Sequence, residues 1–118
     1  MMWTLALGLA LSALPSFAAT YDVASDFSPA SNPAGAWTHG WSSQLTSAID
    51  VYSSATSDRG IDHWSDSGGL PPNVSHNGTA SAISLSPELI TWQPGQFALH
   101  PGQFGEYSHT RLNEECVG

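Results

Sequence analysis

The chain has 118 residues and carries ten Asp and Glu against two Arg and no Lys, a formal charge of −8 at pH 7. That length holds one small domain at most. The charge excludes nucleic acid and anionic membrane surfaces as partners, because displacing counterions from phosphates takes clustered cations, and Arg59 and Arg111 stand alone.

Residues 5–14 (LALGLALSAL) form an apolar run, followed by Pro15 and the small-x-small triplet Ser16-Phe17-Ala18. This is the pattern of a secretory signal peptide cut after Ala18, although Met1-Met2-Trp3-Thr4 lacks the usual Lys or Arg. The run is shorter than the roughly 20 apolar residues a membrane-spanning helix needs. The expectation is a signal-peptide helix over 1–18 and an exported mature chain with no membrane span.

From Ala19 onward Ser, Gly, Asn, Pro and Thr are abundant, and no window sustains an apolar period of 3.6 residues. The expected class is all-β. Residues 21–24 are a first strand candidate, and Ser28-Pro29, Asn32-Pro33 and Gly35 mark a loop after it. Over 36–42, Trp37, His39 and Trp41 alternate with Thr38, Gly40 and Ser42, the period of a strand with one face buried or used for binding. Residues 45–53 suit a helical face through Leu45, Ile49 and Tyr52, but their Val, Tyr, Thr and Ser content favours a strand. A turn-rich loop spans 65–72, and Asn77-Gly78 is a hairpin signal. Further strands are expected over 80–85, 89–92, 97–99 and 107–112. Cys116, the only cysteine, excludes an intrachain disulfide and has no basic neighbour to activate it.

Three blocks carry a resemblance. They are Tyr21-Asp22-Val23-Ala24-x-Asp26-Phe27-Ser28 with Asn32-Pro33-x-Gly35-Ala36-Trp37 and Gly40-Trp41; His76-Asn77-Gly78; and Pro94 to Gly102 with Gly105-Glu106-Tyr107-Ser108-x-x-Arg111. Together they resemble exported bacterial proteins that often carry a PEP-CTERM sorting tail. The resemblance implies a jelly-roll-like β-sandwich completed by turns and strands after the Arg. This chain instead reads Leu112-Asn113-Glu114-Glu115-Cys116-Val117-Gly118. The expectation is therefore a partial sandwich over 19–112, a divergent tail over 113–118, and no sorting signal.

Flat aromatic faces beside Asp or Asn are a means of holding sugars, and Trp37, Trp41 and Trp64 are the candidate ligand-binding residues. The competing role for each is a core anchor, since Trp buries a large area. Asp62-His63 with Asp66 is the best local metal cluster, and Asp58, Asp62 and Asp66 offer oxygen ligands, but no HExxH or CxxC pre-positions a zinc ion and the spacing is not that of an EF-hand. No metal or other cofactor is expected. Ser, His and Asp coexist without a GxSxG elbow; Glu88 and Glu106 would make a glycosidase pair only if folding brought them together; and His100 and Glu106 bracket a loop that turn chemistry explains. Asn73-Val74-Ser75 and Asn77-Gly78-Thr79 match the N-glycosylation pattern, which arises by chance in Asn- and Ser-rich loops. The preferred reading is an exported, non-catalytic protein that binds a carbohydrate or surface polymer. The alternatives are a structural or non-functional truncated product, and a secreted metal-dependent hydrolase centred on Asp62 and His63.

Overall fold

The computed structural model describes residues 12–15 and 18–113, and over these the protein is all-β. The expected signal-peptide helix falls largely on residues outside that range, as do Glu114, Glu115 and Cys116.

The strands are β1 (Trp37–Ser42), β2 (Asp50–Val51), β3 (Ser54–Asp58), β4 (Ile61–Ser65), β5 (Asn73–His76), β6 (Ile83–Leu85), β7 (Ile90–Trp92), β8 (Phe97–His100) and β9 (Tyr107–Leu112). They form a three-stranded sheet in the order β2-β1-β9, a four-stranded sheet in the order β3-β4-β5-β8, and the hairpin β6-β7. All pairings are antiparallel, and β1 and β9 run in register from Trp37↔Leu112 to Ser42↔Tyr107.

The two larger sheets face each other as a sandwich. Alternation along β1 turns Trp37, His39 and Trp41 to one face, and along β4 and β5 it turns Asp62, Trp64, Val74 and His76 to another. Between them Tyr52, Trp64 and Val74 form the buried apolar cluster, flanked by Phe27, Trp41 and Phe97. The Tyr52 hydroxyl meets Ser108 Oγ at 2.9 Å, and Ser108 Oγ donates to the Asn73 carbonyl at 2.8 Å, tying β9 to the opposite sheet.

Much of the interior is polar. Thr38, His39, Ser42, Ser65, Asn73, Ser75, His76 and Asn77 are buried alongside Tyr52, Ile61, Trp64 and Val74. Burying such groups costs free energy unless they are hydrogen-bonded, and most are. Asn32 Nδ2 donates to the carbonyls of His39 (2.7 Å) and Tyr52 (3.0 Å) while its Oδ1 accepts the His39 amide (2.9 Å), so one side chain stitches β1 to the segment after β2. Asn77 is fully buried; its Nδ2 donates to the carbonyls of Ser81, Trp92 and Gln93, and its Oδ1 accepts from the amide and hydroxyl of Thr79.

The expected strands over 36–42, 80–85, 89–92, 97–99 and 107–112 are present in these sheets, some shorter than expected. Three expectations need correction. Residues 21–24 lead into a turn, because Asp22 Oδ1 accepts the amides of Ala24 (3.0 Å) and Ser25 (3.2 Å) and the Asp22 carbonyl accepts that of Asp26 (2.8 Å). Within 45–53 only Asp50–Val51 is strand, since Ser42 Oγ and the Ser47 amide both donate to the Gln44 carbonyl and hold the preceding residues in a loop. Asn77-Gly78 does not join a hairpin: β5 pairs with β4 and β8, and Asn77 instead closes the loop toward β6 and β7. The tight hairpin lies at Arg59-Gly60 between β3 and β4, where φ of 53° and 91° are the positive values a two-residue type I′ turn requires.

Candidate functional site

The three candidate tryptophans take three different environments. Trp64 is 6% exposed, and its indole N–H donates to the Ser28 carbonyl at 2.7 Å, so the structure makes it a core anchor with no face free for a ligand. Trp37 is half-buried, and its N–H donates to Asp26 Oδ2 at 3.1 Å. Trp41 is also half-buried and donates to Asp66 Oδ2 at 2.7 Å. Trp37 and Trp41 lie on the same face of β1, but with His39 between them and four residues of strand, about 13 Å, apart. They do not make one platform.

Trp41 sits at a built site. The loop after β4 brings Asp66 back over β1, and Asp66 Oδ1 accepts both the amide (3.0 Å) and the hydroxyl (3.1 Å) of Ser53 while Oδ2 holds the indole. The carboxylate thus fixes the Trp41 ring at the edge of a hollow of about 110 Å³ lined by Trp41, Tyr52, Asp66, Ser67, Pro72 and Glu106. Glu106 Oε2 accepts the Phe104 amide at 2.9 Å, which holds the β8–β9 loop beside it. Burial pushes the Tyr52 hydroxyl up to about 12, so it is a neutral hydrogen-bonding group at physiological pH. Sequence reasoning found Trp41 through its alternation but not Tyr52, Pro72 or the pairing with Asp66.

The residues weighed for metal binding separate. Asp62 and His63 are neighbours on β4 and so point to opposite faces. Asp58 is bound to Arg59, whose guanidinium holds its carboxyl below the usual range, and Asp66 is committed to Trp41 and Ser53. Among the described residues no three His, Cys, Asp or Glu side chains converge on an ion-sized space. Glu88 pairs with Arg59 at 3.3 Å and Glu106 caps its own loop, so each has a structural partner of its own. His100 Nδ1 contacts the adjacent Pro101 carbonyl at 2.8 Å.

Two Ser–His contacts carry the wrong proton arrangement for a nucleophile and base. Ser75 Oγ donates to Asn73 Oδ1 at 2.9 Å, and the Asn73 amide is fixed by its own bond to the Gly69 carbonyl at 2.8 Å. The 2.6 Å contact between Ser75 and His63 Nδ1 then has the histidine as donor. In the same way Ser42 Oγ donates to the Gln44 carbonyl, which leaves His109 Nε2 as donor to Ser42. Both glycosylation triplets have a buried asparagine whose Nδ2 is engaged, Asn73 with Gly69 and Asn77 with three carbonyls, so neither amide is available to a transferase in the folded chain.

A second, larger hollow of about 420 Å³ opens beside the end of β5, lined by Asp22, Ser25, His76, Gly78, Thr79 and Gly95 among others. Burial lowers the His76 pKa, with Asp62 opposing that shift, and His76 is neutral at pH 7. Among the described residues no helix is long and apolar enough to cross a membrane. No protein-family model, curated protein or solved structure matches the chain.

Proposed function

We propose that this chain is an exported, non-catalytic β-sandwich module of the cell envelope or extracellular space that binds a carbohydrate or other surface polymer through Trp41. The observation that carries the reading is the half-buried indole locked by Asp66 beside Tyr52, Pro72 and Glu106. An aromatic face supplies apolar contact to a sugar ring, and at its rim Glu106, with only Oε2 engaged by a described residue, accepts a hydrogen bond from a sugar hydroxyl. Because Asp66 holds the ring before any ligand arrives, little side-chain entropy is lost on binding. The apolar run with its small-residue site supports export, and the blocks from Tyr21 to Arg111 support kinship with PEP-CTERM-associated exported proteins.

Sedimentation with insoluble polysaccharides (cellulose, chitin and cell-wall glycan) tests the reading. Wild type is expected to co-sediment with at least one, Trp41→Ala to lose most of that binding, and Trp37→Ala to keep it. Trp41 also packs against the core, so Trp41→Phe, which keeps a ring without the N–H, separates lost binding from lost folding, with circular dichroism as the check on structure. Equal binding, or equal absence of binding, in wild type and Trp41→Ala contradicts the proposal.

A further inference from the structure

The wall of the second hollow carries a histidine whose ring nitrogens are open to it. His76 is 7% exposed, and among the described residues neither ring nitrogen has a hydrogen-bond partner. Its ring packs on Phe27 with centroids 4.9 Å apart, which holds the imidazole in place at the wall of the hollow. Asp62 lies directly across the strand pair, Asp62↔His76, and its carboxylate likewise accepts no hydrogen bond from a described residue. A ring nitrogen that faces the hollow without a partner in the fold is free to bond water or a ligand there.

Gly78 leaves the space in front of these two groups open. A Cβ built on Gly78 would lie 3.5 Å from His76 Nδ1 and 3.9 Å from Asp62 Oδ2, so one point beside Gly78, at the wall of the hollow, is within reach of both, although Asp62 does not itself line the hollow. Those are ordinary van der Waals distances, and Gly78 does not adopt a positive φ. Neither backbone strain nor crowding therefore calls for glycine here. What its missing side chain provides is access.

We propose that Asp62, His76 and Gly78 form a binding subsite for the adjacent hydroxyl groups of a neutral polyol or sugar unit. Chemistry selects the class. Asp22 and Asp62 disfavour an anion, and no Lys or Arg lines the hollow. Among the described residues, a metal ion would find fewer than three His, Cys, Asp or Glu ligands together. A hydroxyl group both donates and accepts, so it serves the Asp62 carboxylate as donor and a neutral imidazole in either tautomer. The hollow, at about 420 Å³, falls within the usual size range of small-ligand sites. It shares no lining residue with the Trp41 hollow. The inference shares the ligand class of that reading but stands on separate residues.

Nuclear magnetic resonance of the labelled protein reads both sites in one titration, with soluble laminarin, yeast mannan and arabinogalactan as probes and Zn²⁺ and Ca²⁺ as separate additions. The His76 ring and Gly78 amide signals are expected to shift saturably with at least one polysaccharide. Gly78→Leu, which fills the space on a compatible backbone, is expected to weaken that affinity by about tenfold or more, and Asp62→Asn to weaken it as well. A shift confined to the Trp41 indole supports the Trp41 reading and overturns this one; a shift confined to His76 and Gly78 does the reverse. Silence of His76 and Gly78 with all three polysaccharides, or a response to the metal ions alone, overturns the subsite.

Discussion

At the scale of single residues, the buried polar groups decide how this protein responds to its surroundings. His39 is 1% exposed between Phe27 and Phe97, with Nδ1 at 2.9 Å from Thr110 Oγ1, and burial lowers its pKa from 6.5 to about 4. The folded pKa lies below the unfolded one, so the stability His39 contributes is fully present above pH 6.5 and is lost as pH falls toward 4. The size of that shift corresponds to about 3 kcal/mol. His63 and His76 are shifted in the same direction by burial. The melting temperature is expected to fall steeply between pH 6.5 and pH 4, and His39→Gln to flatten that dependence while costing stability at neutral pH. A melting temperature constant over that range would count against a neutral, buried His39. Asn77→Ala removes the partner of three carbonyls, the Thr79 amide and the Thr79 hydroxyl, and is expected to destabilise by about 3 kcal/mol in urea unfolding, against a near-neutral Gly78→Ala one residue away.

At the scale of elements, the strands legible in the sequence are those whose alternation matches burial or whose flanks are turn formers. Trp37, His39 and Trp41 announce β1, and Ser86-Pro87 separates β6 from β7. Strands β3, β4 and β5, three of the four in the larger sheet, were not legible. In β3 the sequence SATSD reads as loop, and in β5 (NVSH) all four residues are buried, three of them polar, so hydropathy carries no period. Their stabilising contacts include side-chain hydrogen bonds between residues distant in sequence, such as Ser108 with the Asn73 carbonyl and Ser75 with His63, and no local pattern reports those. The hairpin at Arg59-Gly60 was hidden because Arg replaces the usual Asn or Asp at its first turn position. Gly60→Ala is expected to cost more than about 1 kcal/mol there, because its φ is positive and a Cβ would lie 2.9 Å from Ile83. Gly40→Ala is expected to be worse, since its Cβ would overlap the Asp50 carbonyl and Ile49 and force β2 off β1; thermal unfolding of both variants measures the contrast.

At the scale of the whole molecule, the two sheets form a platform that brings distant segments to Trp41. Strand β1 presents the indole, the loop after β4 returns Asp66 to it, and the loop between β8 and β9 places Glu106 at the rim. The tryptophan was legible as a candidate from alternation alone. Its partners were not, because residues 41, 66 and 106 meet only after the sheets have packed. The same packing buries Trp64, whereas the separation of Trp37 from Trp41 by His39 is set by their places along β1. Oxidative footprinting of the tryptophans by mass spectrometry, with and without the polysaccharide that co-sediments with the protein, tests the central claim most directly. The account expects Trp41 to be oxidised in the free protein and protected in the complex, Trp37 to be oxidised equally in both, and Trp64 to be protected throughout. Equal oxidation of Trp41 with and without the polymer would contradict it.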